Sequence, residues 1–375
     1  MKIAQLAPPW IEIPPKAYGG TETVLHILVE EQVARGHEVT LLAAAGSQTA
    51  AHLVPLTAHS LLEEGFSWRD TQKEREYLQQ ALNYIEAHDF DIVHTHLSSG
   101  GDMHLFPLLS HLRVPHVTTL HSNLPFRSEE VPPEIKQGDI ARWTKHVPIV
   151  AISEQARRHQ GLPLHFIGVV HHGISPEQYP MSPEPPEDYF LWLGRFVPEK
   201  GPHLAIQAAK QAGVPLVLAG TISMNQEQYY QEMIEAQVDG ELIRNHGPAG
   251  YEEKLALMGH ARGFLNPITW EEPFGMVMIE AMATGCPVIS FARGAAPEIV
   301  SDGETGFLVQ NVEEMVQAIG RIDEISREKA RAHVRQHFSG AAMAQKYNDI
   351  YQKAIRNFKA KHQRSATLAD RKSPS

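Results

Sequence analysis

The chain has 375 residues, 42% of them hydrophobic, with 33 Lys and Arg against 44 Asp and Glu for a net charge of −11, and a single cysteine. That length exceeds one ordinary core, which stops growing beyond about 250–300 residues, so two domains are expected, and the acidic balance argues against a general nucleic-acid binder. Lone Cys286 excludes an internal disulfide framework and a Cys-based zinc site, suits a reducing cytoplasm, and beside Pro287 reads as a buried, inert thiol.

Residues 2–7 are apolar and strand-like, and the run stops at Pro8 and Pro9, too early for a signal peptide. A Pro/Gly loop leads to helical spacing over 22–34, which Gly36 ends, and then to a strand at 39–43. Short apolar runs follow at 92–95, 117–120 and 149–152, with a charged surface helix expected between Trp68 and Ala87. Strand, loop, helix and strand in repetition make an α/β domain, a parallel sheet wound by helices. The proline-rich stretch YPMSPEPP at 179–186 reads as a stiff linker. A second set begins at once, with strands at 190–193, 216–219, 263–266 and 287–291 and helices at 203–211 and 276–284. The apolar run 276–292 is interrupted by Glu280 and cannot span a membrane.

From Ile325 onward cations dominate: Arg327, Lys329, Arg331, Arg335, Lys346, Lys353, Arg356, Lys359 and Lys361. A solvated helix face is the leading reading, and weak peripheral contact with an anionic membrane the lesser one. The expected organisation is a first Rossmann-like domain at 1–182 and a second at 183–340. A helix at 341–360 would pack back on the first, followed by a disordered polar tail at 361–375. In doubly wound sheets ligands sit outside the carboxyl ends of the strands, so chemistry is sought on the loops that follow them.

Two such loops carry it. In WLGRFVPEKG, residues 192–201, Gly194 permits close backbone approach, and Arg195 and Lys200 place two cations before a helix start, a clamp for a diphosphate. In EPFGMVMIE, residues 272–280, Glu272 precedes a helix and Glu280 lies about two turns inside it, an E-x7-E spacing that puts both on one face. A carboxylate accepts two hydrogen bonds from vicinal hydroxyls of a ribose or hexose, and Gly275 leaves backbone N–H groups for phosphate oxygens. Glu280, inside an apolar helix, needs a partner. His94 and His96 share one strand face but lack the acids or cysteines that would complete a metal site.

These motifs, with GAAPEIVSDGETGFLV at 294–309, resemble the retaining family-4 glycosyltransferases of the GT-B architecture, two facing Rossmann-like domains with a deep cleft between them. YGGTE at 18–22, DIVHTH at 91–96, TTLHS at 118–122, AISEQAR at 151–157 and VVHHGI at 169–174 follow in the family's order, so the resemblance covers nearly the whole chain. It implies that Arg195 and Lys200 hold the donor diphosphate, Glu280 the ribose and Glu272 the transferred sugar, with Gly194 and the backbone of Phe274, Gly275 and Met276 in support. Gly20 would let backbone meet the phosphate, His121 would position the transferred sugar, and the base would lie against backbone near Arg244. His172 stands where the family often has asparagine, and no role is assigned to it.

The implied activity is hexosyl transfer from a UDP- or GDP-sugar to an acceptor hydroxyl in the cytoplasm, by front-face attack and without metal or cofactor. The resemblance leaves the acceptor open among saccharide, lipid and small metabolite, met by loops 8–18 and the segment after His121. It also leaves open the donor sugar and the oligomeric state. Two other activities compete on the same fold, a sugar phosphorylase or synthase and a non-catalytic nucleotide-sugar sensor. A nicotinamide oxidoreductase is set aside because no G-x-G-x-x-G follows the first strand.

Overall fold

The structure is a computed structural model that describes residues 1–16, 19–67, 70–124 and 137–370, with the side chains of 71, 101, 137, 141 and 364–370 left aside. Tyr18, Trp68, residues 125–136 of the expected acceptor segment and the final residues 371–375 of the expected tail lie outside the described residues.

The chain forms two units, and each carries its own parallel sheet. The first comprises residues 1–152, 157–173 and 340–375. Its seven strands are β1 (Lys2–Leu6), β2 (Glu38–Ala44), β3 (His52–Thr57), β4 (Ile92–Leu97), β5 (His116–Leu120), β6 (Ile149–Ala151) and β7 (Phe166–Val169), in the order β3-β2-β1-β4-β5-β6-β7. Helix α1 (Gly20–Ala34) follows β1, and α2 (Thr71–Glu86) buries Tyr77, Leu78, Ala81, Leu82 and Ile85 against Leu42, Val93 and Leu97. The C-terminal helix, Gly340–Asp370, belongs to this unit and packs on α1, β5 and β7. Its Ile350 tip fills the space over Gly168, where a Cβ would lie 2.2 Å from Ile350 Cδ1.

The second unit comprises residues 153–156 and 174–339. Its six strands are β8 (Phe190–Phe196), β9 (Leu216–Ile222), β10 (Ile243–Gly247), β11 (Gly263–Asn266), β12 (Val288–Phe291) and β13 (Gly306–Val309), in the order β10-β9-β8-β11-β12-β13. The helices used below are α3 (Pro202–Ala212), α4 (Tyr251–His260) and α5 (Met276–Ala283). All pairings are parallel, and each sheet reverses its strand order once, at β1/β4 and at β8/β11. Both are therefore Rossmann-like, as the sequence reading expects.

Interior strands of such sheets are covered on both faces and show as continuous apolar runs. All nine were anticipated. The four that were not, β3, β7, β10 and β13, are the four sheet edges. β10 reads IRNHG with only Ile243 buried, and β3 carries Pro55, which an edge strand tolerates.

Two boundaries differ from expectation. The units divide at Gly173, nine residues before 182, because Tyr179 and its neighbours are built into the second unit rather than forming a spacer. The C-terminal helix continues to Asp370, so residues 361–370 are helical where a disordered tail was expected. Among the described residues, no helix is long and apolar enough to cross a membrane.

Candidate functional site

In the second unit, β8 and β11 are neighbours whose helices turn to opposite faces, and the loops that follow them carry Lys200 and Glu272. Lys200 Nζ donates to Glu272 Oε2, the same oxygen that accepts from Trp270 Nε1 at 3.1 Å, and the ammonium lies 5.4 Å from the Trp270 ring centre. Thr269 N donates to the Glu199 carbonyl at 2.9 Å, so the two loops are tied by main chain as well, and Trp192 Nε1 on β8 donates to the Lys200 carbonyl at 3.1 Å. Arg195 is exposed, and its guanidinium meets no hydrogen-bond or ion-pair partner among the described residues.

Close packing of glycines sets these loops. A Cβ on Gly220 would lie 1.8 Å from the Gly194 carbonyl oxygen, whereas one on Gly194 would make only ordinary contact with Trp192. The close approach expected at Gly194 is thus made possible by its partner on β9. Gly294, at φ +55°, sits against the backbone of Glu272, and Ala295 N donates to the Glu272 carbonyl at 3.0 Å. Glu271, adjacent to Glu272, accepts from Gln155 Nε2 at 2.7 Å and Gly294 N at 3.1 Å.

Gly275, at φ +94°, caps α5. Phe274 is 2% exposed, so what it offers a ligand is main chain, and Met276 opens the helix whose first N–H groups have no intrahelical acceptor. Glu280 lies in α5, and its Oε1 accepts from Lys254 Nζ at 2.9 Å and Tyr179 Oη at 3.0 Å. This is the partner its burial demands. Arg244 stands apart from the group. Its register sets it level with Leu191, three residues before Gly194, and its guanidinium lies 5.7 Å from the Tyr189 ring centre. It lines a pocket of about 300 Å³ with Glu187, Tyr189, His246 and His260. The nearer backbone is Gly247, level with Leu193.

In the first unit, Gly20 opens α1, and a Cβ there would meet nothing within 4 Å, while Gly19 is hemmed in by Pro15 and the Glu22 carboxylate. His121, half-buried, follows β5 in a row with buried His96 and His172: His96 Nδ1 to His121 Nε2 is 3.0 Å, His121 Nδ1 to His172 Nε2 is 3.3 Å, and His96 Nε2 to Gln5 Oε1 is 3.1 Å. The Gln5 amide nitrogen donates to Gln32 Oε1 at 2.9 Å and to Tyr351 Oη at 3.1 Å, and Gln32 Nε2 donates to that hydroxyl at 3.0 Å. This orientation uses both amide hydrogens of Gln5. The reverse would aim two carbonyl oxygens at a hydroxyl carrying one proton.

The proton positions follow. Gln5 Oε1 can only accept, so His96 carries its proton on Nε2 and accepts at Nδ1. His121 then donates from Nε2 and accepts at Nδ1 from His172 Nε2–H. Burial holds His96 and His121 well below the ordinary histidine value, with their histidine neighbours adding to it, and lowers His172 to about 3. Both ring nitrogens of His121 are therefore engaged in a neutral row, and His172, given no role from sequence, is part of it. Spacing showed His94 and His96 on one face but could not show their partners. His94 is held by Tyr351 Oη and Thr119 Oγ1, each at 2.7 Å, so neither ring nitrogen is available to a metal.

Elsewhere among the described residues, Glu12, His59 and Glu63 bring ligand atoms within 4.8 Å of one another, with Lys16 Nζ bonded to both carboxylates. Part of the basic C-terminal run is structural. Arg327 donates to the Gly259 and Ala261 carbonyls where α4 ends, Arg331 to the Ala283 and Tyr179 carbonyls, and Lys353 to the Ile167 carbonyl.

Family models for glycosyltransferase family 4 and for glycosyl transferases group 1 match residues 18–178 and 179–342, one after the other across both units. The chain belongs to the family-4 glycosyltransferases. This glycosyltransferase is 26% identical to a phosphatidyl-myo-inositol mannosyltransferase of Mycobacterium leprae over 82% of its own length and 83% of the relative's. It is 37% identical to a D-inositol 3-phosphate glycosyltransferase of Streptomyces griseus over 31% of its length and 26% of that protein's. Its fold is that of sucrose-phosphate synthase from Thermosynechococcus elongatus, with a TM-score of 0.72 at 19% identity over 95% of this chain and all of that one. It is also that of the Anabaena protein HepE in complex with UDP and glucose, with a TM-score of 0.68 at 20% identity over 94% of this chain and all of that one. The enzyme is thus a transferase with the GT-B fold.

Proposed function

We propose that this glycosyltransferase moves a hexosyl group from a nucleotide diphosphate sugar, UDP- or GDP-linked, to an acceptor hydroxyl with retention of anomeric configuration and without a metal ion. The observation that carries the reading is the meeting of Lys200 and Glu272 where the sheet reverses its strand order, the place at which doubly wound sheets bind nucleotides. That HepE is described with UDP and glucose supports the choice of donor class.

In this reading Lys200 exchanges Glu272 for the donor diphosphate and Arg195, which has no described partner to lose, joins it. Glu272, freed of the ammonium, accepts from hydroxyls of the transferred sugar, Glu280 from the ribose, and the main chain at Phe274, Gly275 and Met276 from the α5 start faces phosphate or sugar oxygens. Gly20 offers backbone to the phosphate, and His121 has a positioning role toward the transferred sugar, its ring fixed in one neutral form. As the bond from the anomeric carbon to the phosphate oxygen breaks and an oxocarbenium-like sugar forms, the two cations neutralise the charge that builds on the leaving diphosphate. The acceptor oxygen bonds to the anomeric carbon on the same face, and its proton passes to the departing phosphate oxygen.

The test is incubation with a panel of UDP- and GDP-sugars and candidate acceptors in the presence of chelator, following nucleotide diphosphate release and the product's anomeric configuration. Release with a retained anomer supports the reading. Inverted product, or sugar phosphate formed only when phosphate is supplied, overturns it, the latter in favour of a phosphorylase.

A further inference from the structure

Glu280 is held by two residues distant from it in sequence. Tyr179 comes from the proline-rich stretch and Lys254 from α4, and both donate to the same oxygen, Oε1. No described residue donates to Oε2. Carboxylate torsions at the end of a glutamate side chain are broad and soft, so a carboxylate with no partners samples many orientations. Here two donors fill the lone pairs of one oxygen and leave the two of the other.

The donors are themselves fixed. The Lys254 ammonium lies 5.8 Å from the ring centres of both Tyr179 and Tyr251, a cation between two aromatic rings that meet edge to face at 6.4 Å. Tyr251 Oη donates to the Gln178 carbonyl at 2.8 Å, and Arg331 donates to the carbonyls of Tyr179 and Pro176, so the segment 176–179 is fastened at main chain. Burial and the adjacent carboxylate push the Tyr179 phenol upward, which keeps it a donor at every physiological pH.

We propose that Lys254 and Tyr179 are positioning residues that pin one oxygen of Glu280 so that the other accepts the ribose hydroxyls of the bound nucleotide. This rests on the nucleotide-sugar reading above. A salt bridge that merely fastened α4 to α5 would change stability and weaken all nucleotides alike. A positioning pair changes how well the site tells a ribose from a deoxyribose.

The test is calorimetric titration of the full chain with UDP, GDP and ADP and with the 2′-deoxy and 2′,3′-dideoxy forms of each. For the nucleotide that binds the parent most tightly, loss of the ribose hydroxyls is expected to weaken binding at least about tenfold, the lower value for hydrogen bonds to a charged group. In Lys254→Met and Tyr179→Phe that ratio should fall below about threefold, through weaker binding of the ribose form alone, and Lys254→Arg should restore it. Tyr179→Phe removes a single oxygen and carries the test if Lys254→Met does not fold. A folded variant of either kind that keeps the parent's full ribose discrimination overturns the proposal, as does a parent that binds a nucleotide without discriminating. A parent that binds none of the nucleotides overturns the nucleotide-sugar reading, and the proposal with it.

Discussion

His96 Nδ1 lies 3.0 Å from His121 Nε2, with His96 buried and His121 half-buried, and the Gln5 amide on the neighbouring strand, 3.1 Å from His96 Nε2, decides which atom carries the proton. Because each of the three bonds from His172 Nε2 through His121 to His96 and Gln5 has one direction, the row has a single neutral arrangement. Nitrogen-15 NMR of the imidazoles should show His96 and His121 protonated at Nε2 with bare Nδ1 atoms. A proton on His96 Nδ1 would contradict the assignment. Gln5→Leu leaves His96, Gln32 and Tyr351 each short of a partner and should cost about 2 kcal/mol or more of stability, measured by denaturant unfolding.

Acid should destabilise the protein above the pH at which ordinary exposed carboxylates titrate. His94, His96 and His121 are held well below the ordinary value and His172 near 3, all mainly by burial. Below about pH 6.5 the unfolded chain protonates these histidines and the folded chain does not, so each removes about 1.4 kcal/mol per pH unit as pH falls. Two buried carboxyls act the other way: Glu22, raised to about 7, and Glu74, also raised, stay protonated in the fold and favour it as pH falls toward about 4.3. Four histidines outweigh two carboxyls, and the melting temperature should drop between pH 7 and 5.5. A flat or rising melting temperature over that interval would show that the row is charged or exposed.

These two predictions mark where sequence reading stops. The interior strands were legible because a strand covered on both faces is largely apolar, as VISF in β12 is. The edges were not, since IRNHG in β10 satisfies only one side. Arg195, Lys200, Glu272 and Glu280 were singled out as candidates because spacing along one loop or helix face is a local property. Arg244 was placed with them by its neighbourhood in the chain, and only the β9–β10 register shows it level with Leu191. Tyr179 was hidden by linker-like composition, and Lys254 by its distance of 26 residues from the glutamate it holds. The members of the row come from β1, β4, the residue after β5 and the segment before Gly173, a convergence that no pattern in one stretch of sequence encodes.

Backbone crowding makes Gly294 a sensitive point for the candidate site. A Cβ there would lie 2.4 Å from both the nitrogen and the oxygen of Glu272, at a φ of +55°. Gly294→Ala should cost more than about 1 kcal/mol and displace Glu272 from Lys200. Catalytic efficiency should then fall while Gly213→Ala, a left-handed glycine with open space around it, changes stability alone. Equal activity in Gly294→Ala and the parent would show that the position of Glu272 is not used.

The most direct measurement is binding of UDP- and GDP-sugars to the parent, Lys200→Ala and Glu280→Ala, read by calorimetry and by nucleotide diphosphate release. A donor site in the second unit predicts one preferred nucleotide sugar in the parent, and turnover lowered by about 10²–10³-fold without the Lys200 cation. Glu280→Ala should weaken binding of the same donor. Nucleotide sugars that bind and react equally well in all three proteins, or in none, would contradict the donor site.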